Sequence, residues 1–329
     1  MFSWQSSPWK HWIKVREHLP HAVLIQSGDG WGELQFAQSA AQSLLCEKPR
    51  PGHLACGACQ ACNWFTAGNH PDFRLIVPES MAAEPPEEGA EPGKKRSDQI
   101  RIEQIRELAD FLAVGTHRAG LRVILIYPAE AMNPNTQNAL LKALEEPPPA
   151  TVFLLVSAQP DRLLATVRSR CLKFSLPLPD AAEVLQWLVE QGVPHPESAL
   201  AAAGGAPLAA LKAAEAEGER LAFIEAIRRP TFDPVALADS VQRIPLWDLV
   251  GWLQRWSFDL LLARATGRVR YHVGQEKTIA EIASRCEQAK IAAYLRRLAQ
   301  ARALAKHPLN AKLFVEDLLL QYQRLLAQP

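Results

Sequence analysis

The chain has 329 residues, above the ~250–300 at which a single hydrophobic core stops growing, so two or three domains are expected. Lys plus Arg number 36 against 35 for Asp plus Glu, a formal net charge of +1, which excludes a global basic field for nucleic acid and leaves only local contacts. Apolar residues reach 48%, but the N-terminal MFSWQSSPWKHWIKVREHL lacks a signal-type apolar run with a cleavage site, and no stretch approaches the ~20 apolar residues of a membrane span; a soluble, cytoplasmic protein with no membrane role is expected.

In chain order, five β-rich runs stand out: AVLIQ (22–26), FRLIV (73–77), RVILIY (122–127), TVFLLVS (151–157) and LKFSL (172–176). Near-continuous apolar strands of this kind predict burial on both faces. Helical spacing occupies Trp31–Leu45, Gln99–Val114, Asn135–Glu146 and Arg162–Arg168 between them. This alternation predicts an α/β fold with a parallel sheet covered by helices. The third helix has Asn133 as its N-cap, Pro134 at its first position and PPP (147–149) as its stop. Residues 79–98, rich in Pro, Glu, Gly and Ala, read as a solvated loop without a role.

After SLPLPD (175–180) the strands cease. A short helical portion, 181–214, is interrupted by AAAGGAP, and a longer one runs from 218 to the end. There Leu249, Leu253, Trp256, Leu260 and Leu261 recur at helical spacing, as do Ile291, Tyr294, Leu295 and Leu298, and Leu313, Leu318, Tyr322 and Leu325. Such stripes form either an internal core or an oligomerisation face.

Four constellations bear on chemistry. Cys46, Cys56, Cys59 and Cys62 lie in CEKPRPGHLACGACQAC, a spacing that points to a metal rather than disulfides in a reducing compartment. Four thiolates suit tetrahedral Zn²⁺ and leave no position for water, so the site is read as structural. Unligated thiols and an iron–sulfur cluster are the alternatives, although the bacterial C-x₂-C-x₂-C-x₃-C-P run differs in its fourth spacing and its proline. His53 and His70 flank the cluster and read as surface histidines.

The stretch SGDGWGEL follows the first strand, where a phosphate-binding loop belongs. Against G-x-x-x-x-G-K-[ST] its positions read Ser27, Gly32, Glu33 and Leu34, so the lysine for the phosphates and the hydroxyl for Mg²⁺ are missing. At the end of the third strand, Tyr127 and Pro128 stand where a Walker B motif has its acids, and neither ligates Mg²⁺. Glu130 reads as a solvated turn carboxylate. In ATVRSRC (165–171), an arginine on a loop at the sheet's edge either pairs with a local acid or reaches a neighbour's γ-phosphate.

The combination of NALLKALEEPP (138–148), LLATVRSRC (163–171) and the cysteine quartet resembles the bacterial DNA polymerase III clamp-loader subunits, most of all the delta-prime type. The specific motifs lie in the first ~210 residues. The resemblance implies an AAA+ parallel-sheet core with its zinc module (1–177), a small helical lid (178–214) and an all-α C-terminal collar (215–329). It also implies a hetero-pentameric ring with gamma/tau and delta subunits, acting indirectly on the sliding clamp and primer-template DNA as part of the polymerase holoenzyme. Read against the ATPase subunits of that family, the loop Lys and Thr become Glu33 and Leu34, the Walker B acids become Tyr127 and Pro128, and the sensor-2 Arg falls on Leu208. No ATP and no intrinsic ATPase are therefore expected. What survives is Ser169, Arg170 and Cys171; by resemblance Arg170 is an arginine finger for an adjacent gamma/tau site, supported by the other two, with Arg168 structural. Two other readings are an active ATPase of the gamma/tau type, which needs the missing Lys and acids, and a zinc-containing DNA-binding protein, for which residues 46–62 offer only Lys48 and Arg50 as fixed cations.

Overall fold

The structure, a computed structural model, describes residues 1–82, 96–117, 120–229, 231–305 and 310–326. The chain divides into two compact units, Met1–Glu183 and Val184–Pro329.

The first unit holds the strands β1 (Ala22–Gln26), β2 (Phe73–Ile76), β3 (Arg122–Ile126), β4 (Thr151–Ser157) and β5 (Leu172–Ser175). Its helices are α1 (Ser6–Glu17), α2 (Glu33–Leu45), α3 (Gln60–Thr66), α4 (Ile102–Ala113), α5 (Pro134–Glu145) and α6 (Ala165–Arg168). All strand pairs are parallel, in the order β2-β3-β4-β1-β5, with Ala22 opposite Phe153 and Val23 opposite Leu172. The three central strands are buried along almost their whole length, as their unbroken Val, Ile and Leu content demands. The expectation of two-faced burial fails for β2 and β5. These are the sheet's edges, where Leu75 and Leu172 remain exposed.

Side-chain alternation divides the core into two layers. Leu24, Ile124, Phe153 and Leu155 meet Ile105 and Leu108 of α4 and Leu140 and Leu144 of α5 on one face. Val23, Ile25, Val123 and Leu154 meet Trp9 and Trp12 of α1 and Phe36 and Ala37 of α2 on the other. Helix α1 had no counterpart in the sequence reading. Its indoles pack T-shaped on Phe36 and Phe174 and bury Trp12 completely. The stretch read as a helix from Arg162 splits into a 3₁₀ turn at Pro160–Arg162 and the short α6. Asn133 caps α5 as expected, its side chain accepting the Thr136 N–H at 3.0 Å. The loop reading for 79–98 falls largely on residues 83–95, outside the described residues; its base is closed by Ser80 N–H donating to the Ser97 carbonyl and by the Arg101–Glu79 ion pair.

The junction helix α7 (Ala181–Glu190) leads into α8 (Pro196–Ala202), α9 (Pro207–Glu215), α10 (Glu217–Ile227), α11 (Pro234–Ser240), α12 (Leu246–Thr266), α13 (Glu276–Arg285), α14 (Gln288–Leu304) and α15 (Ala311–Leu326). The stripes of the sequence converge on one internal core containing Leu249, Leu253, Trp256, Leu298, Leu318 and Tyr322. Leu313 is the exception: it is 61% exposed. Inside this core, Trp256 Nε1 donates to Tyr322 Oη at 2.7 Å, and Tyr294 Oη donates to the Leu318 carbonyl. Asp259, fully buried, accepts the backbone N–H groups of Arg270, Tyr271 and His272, fixing the loop after α12. Among the described residues no helix is long and apolar enough to cross a membrane.

Candidate functional site

The thiol cluster is built where α2 runs out. Cys46 follows its last residue, Gly57 at φ 75° turns the chain between Cys56 and Cys59, and Cys59 caps α3 so that Cys62 returns on its first turn. The four sulfurs lie within 4.8 Å of one another, with Cys46–Cys59 and Cys56–Cys62 each at 3.9 Å. Tetrahedral Zn–S bonds of about 2.3 Å require edges of about 3.8 Å, so the donor set fits a four-thiolate ion. Backbone N–H groups of Cys56, Ala58, Cys59 and Cys62 donate to these sulfurs and favour thiolates. The Cys56 thiol is accordingly drawn down to about 6, first by Ala58 N–H and then by Cys59 N–H, while burial pushes Cys62 up to about 12. The module is tied to α1 through Trp9 Nε1, which donates to the Gly52 carbonyl at 2.9 Å. Neither His53 nor His70 joins the thiol cluster. His70, expected on the surface, is buried at 3% exposure, and its Nδ1 accepts the Asp72 N–H.

The loop from Ser27 to Gly32 links β1 to α2, with Gly30 and Gly32 at φ 76° and 86°. Two of its backbone N–H groups are bonded by the chain itself. Glu33, 3% exposed, accepts the Trp31 N–H at 2.9 Å and the Gly30 N–H at 3.3 Å, and the Tyr127 hydroxyl donates to it at 3.1 Å. Burial raises the Glu33 carboxyl above the usual range against the pull of these bonds, and burial beside Glu33 raises Tyr127. Thus the two positions that depart from the ATPase pattern, one after the loop and one after β3, bond to each other. Leu34, on the first turn of α2, is half-buried and packs against the core. The loop is tightly packed at two glycines: a Cβ at Gly28 would lie 2.2 Å from the Trp31 indole, and one at Gly32 would lie 2.7 Å from the Phe2 ring. Trp4 Nε1 and Gln5 Nε2 donate to the Trp31 and Gly32 carbonyls from the N-terminal segment.

Glu130 is not the solvated carboxylate expected. Its Oε1 accepts the Ala158 N–H at 3.1 Å and its Oε2 is buried without a hydrogen-bond partner, so it joins the ends of β3 and β4. Pro128 begins the turn that carries it. Leu208 lies half-buried on α9 in the second unit.

Arg170 lies at the sheet's edge, between α6 and β5. Its neighbours in the triplet differ in kind. Ser169 is exposed and its hydroxyl donates to the Thr166 carbonyl, whereas Cys171 is buried in the core, its thiol pushed by burial to about 11. The Arg170 side chain is 34% exposed; Nη1 donates to the Thr166 carbonyl at 2.8 Å and Nη2 meets Glu145 Oε1 at 2.5 Å. Arg168 pairs with Asp161 at 3.0 Å. Neither Glu145, within the LEEPP stretch, nor Gln137 stands out in the sequence; the buried amide of Gln137 accepts the Leu164 N–H and donates to the Met132 carbonyl. Glu145 reaches Arg170 and Gln137 reaches Leu164, partners far along the chain that no local pattern reveals.

A family model described as DNA polymerase III, delta subunit, matches residues 6–180, and one described as DNA polymerase III, delta subunit, C terminal, matches residues 215–324. The DNA polymerase III subunit delta' of Pseudomonas aeruginosa is 36% identical over 99% of this chain and 98% of its own length. The subunit delta' of Escherichia coli is 29% identical over 93% and 90%. Among solved structures, a DNA polymerase III gamma subunit-related protein of Thermotoga maritima aligns at 17% identity and a TM-score of 0.48, covering 97% of this chain and 100% of that one. With both of its units matched and its full length shared with such relatives, the chain belongs to the delta-prime family of DNA polymerase III subunits.

Proposed function

We propose that the chain is a non-catalytic subunit of the sliding-clamp loader of the replicative polymerase, carrying no ATPase site of its own and presenting Arg170 to the nucleotide of an adjacent gamma/tau subunit. The observation that carries this reading is the seating of Glu33 on the N–H groups of Gly30 and Trp31. Those are the donors that a phosphate requires, and they are spent inside the chain. An entering triphosphate meets a carboxylate in its place, and no lysine remains to offset the charge.

In this reading Arg170 stabilises charge that develops on a neighbour's γ-phosphate, a contribution of about 10³–10⁵ in rate, or ~4–7 kcal/mol of barrier. Ser169 and Cys171 fix the backbone around it from opposite sides, one at the surface and one in the core. Zinc on Cys46, Cys56, Cys59 and Cys62 supplies folding energy and no chemistry, since four thiolates close its coordination. Residues 178–214 form the lid and 215–329 the collar that enters a five-membered ring with gamma/tau and delta. The sliding clamp and primer-template DNA are met through that assembly in the cytoplasm.

Two measurements on the intact chain test this. Calorimetric titration with Mg-ATP is expected to give no binding heat, and the chain is expected to co-elute with gamma/tau and delta. Micromolar ATP affinity, or failure to co-elute, contradicts the proposal.

A further inference from the structure

We infer that Glu145 is the positioning residue for Arg170, holding its guanidinium in the orientation in which it meets the neighbour's phosphate; the inference rests on the role just proposed for Arg170.

The grip on Arg170 comes from two elements. Thr166 of α6 takes Nη1 through its carbonyl at 2.8 Å, and Glu145, the last residue of α5, takes Nη2 at 2.5 Å. A guanidinium held at two of its nitrogens by acceptors on different elements has its plane fixed. Arginine has five N–H donors in a rigid fork, so most remain for an incoming anion.

Helix α5 is a rigid mount. Leu140 and Leu144 anchor it in the core, and at its other end Gln137 bonds the Leu164 N–H at 2.7 Å, tying down the same loop that carries Arg170. Arg168 has no such mount: its partner Asp161 is 95% exposed and lies on the loop's own 3₁₀ turn. The Glu145–Arg170 pair is itself partly exposed, with side chains 48% and 34% accessible, and pairs of that kind add little to stability. Its consequence is therefore geometric.

Removing the carboxylate has two separable effects. It frees the Arg170 charge, which favours phosphate binding, and it frees the rotamer, which spoils alignment at the transition state. Alignment governs kcat and charge governs ground-state binding, so the two parameters part.

The experiment uses the reconstituted loader with clamp and primed DNA, measuring kcat and KM for ATP with Glu145→Gln, Arg170→Ala and the double variant. Glu145→Gln is expected to lower kcat about three- to tenfold, less than the ~10² of a 1 Å misplacement, with KM for ATP not raised and co-elution and thermal midpoint unchanged. In the Arg170→Ala background it is expected to cost nothing further. Should Glu145→Gln fail to co-elute, Glu145→Asp, which keeps the charge, takes its place. Unchanged kcat in Glu145→Gln beside a clear loss in Arg170→Ala overturns the inference alone. So does an equal loss from Glu145→Gln in both backgrounds, since Glu145 then acts independently. Unchanged turnover in Arg170→Ala overturns the role of Arg170 and this inference with it.

Discussion

Replacing Glu33 with alanine probes the filled loop directly. The side chain is buried and receives three hydrogen bonds, from Gly30 N–H, Trp31 N–H and the Tyr127 hydroxyl. Bonds to a charged acceptor contribute about 1.5–3 kcal/mol each, but burying the carboxylate takes part of that back. The balance for Glu33→Ala is a loss of about 2–3 kcal/mol from the unit Met1–Glu183. For a domain of this size each kcal/mol moves the midpoint by roughly 2–4 °C, so a fall of about 5–10 °C is expected. Thermal unfolding of the full chain, followed by circular dichroism, measures it. Tyr127→Phe should cost about 1 kcal/mol alone and almost nothing once Glu33 is gone, because the two share one bond. A midpoint unmoved by Glu33→Ala, or strict additivity of the pair, refutes the claim that Glu33 fills the loop.

Other expectations follow from the same geometry. Because burial raises the Glu33 pKa above its unfolded value, protonation adds to the stability that its hydrogen bonds give: that added part is fully present below the unfolded pKa of about 4.3 and is lost as pH rises through the folded pKa. The stability of the unsubstituted chain relative to Glu33→Gln, from denaturant titrations at several pH values, should therefore be greatest in acid and decline toward neutrality. Metal analysis should find one zinc per chain without iron–sulfur absorption, and strong chelation should unfold the segment around Cys46–Cys62, seen as rapid proteolysis there. In the second unit Tyr322→Phe strips the acceptor from the buried Trp256 N–H and is expected to cost about 1–3 kcal/mol in chemical denaturation.

Much of the architecture was legible because its signals are local. The central strands are unbroken Val, Ile and Leu runs, Asn133 and Pro134 announce a helix start, and the cysteine spacing implies its own turn. What escaped depends on tertiary context. Helix α1 carries its tryptophans on a face that becomes recognisable only when Phe36 and Phe174 meet it. Glu130 looked solvated because the Ala158 N–H it accepts arrives from the next strand. Sequence identified Glu33 as a lost lysine and a source of repulsion; only the fold brings Tyr127, 94 residues on, within 3.1 Å and makes the pair a closure of the loop. The triplet singles out Arg170 as a candidate, but nothing local points to Glu145, since the ion pair joins the end of α5 to the residue pair after α6.

In the proposed role, Arg170 completes a nucleotide site that this chain does not own. The most direct measurement is clamp- and DNA-stimulated ATPase of the reconstituted loader with Arg170→Ala against the unsubstituted chain, at matched assembly. A severalfold or greater fall in turnover is expected, with this chain's thermal midpoint unchanged. Turnover equal to that of the unsubstituted complex contradicts it.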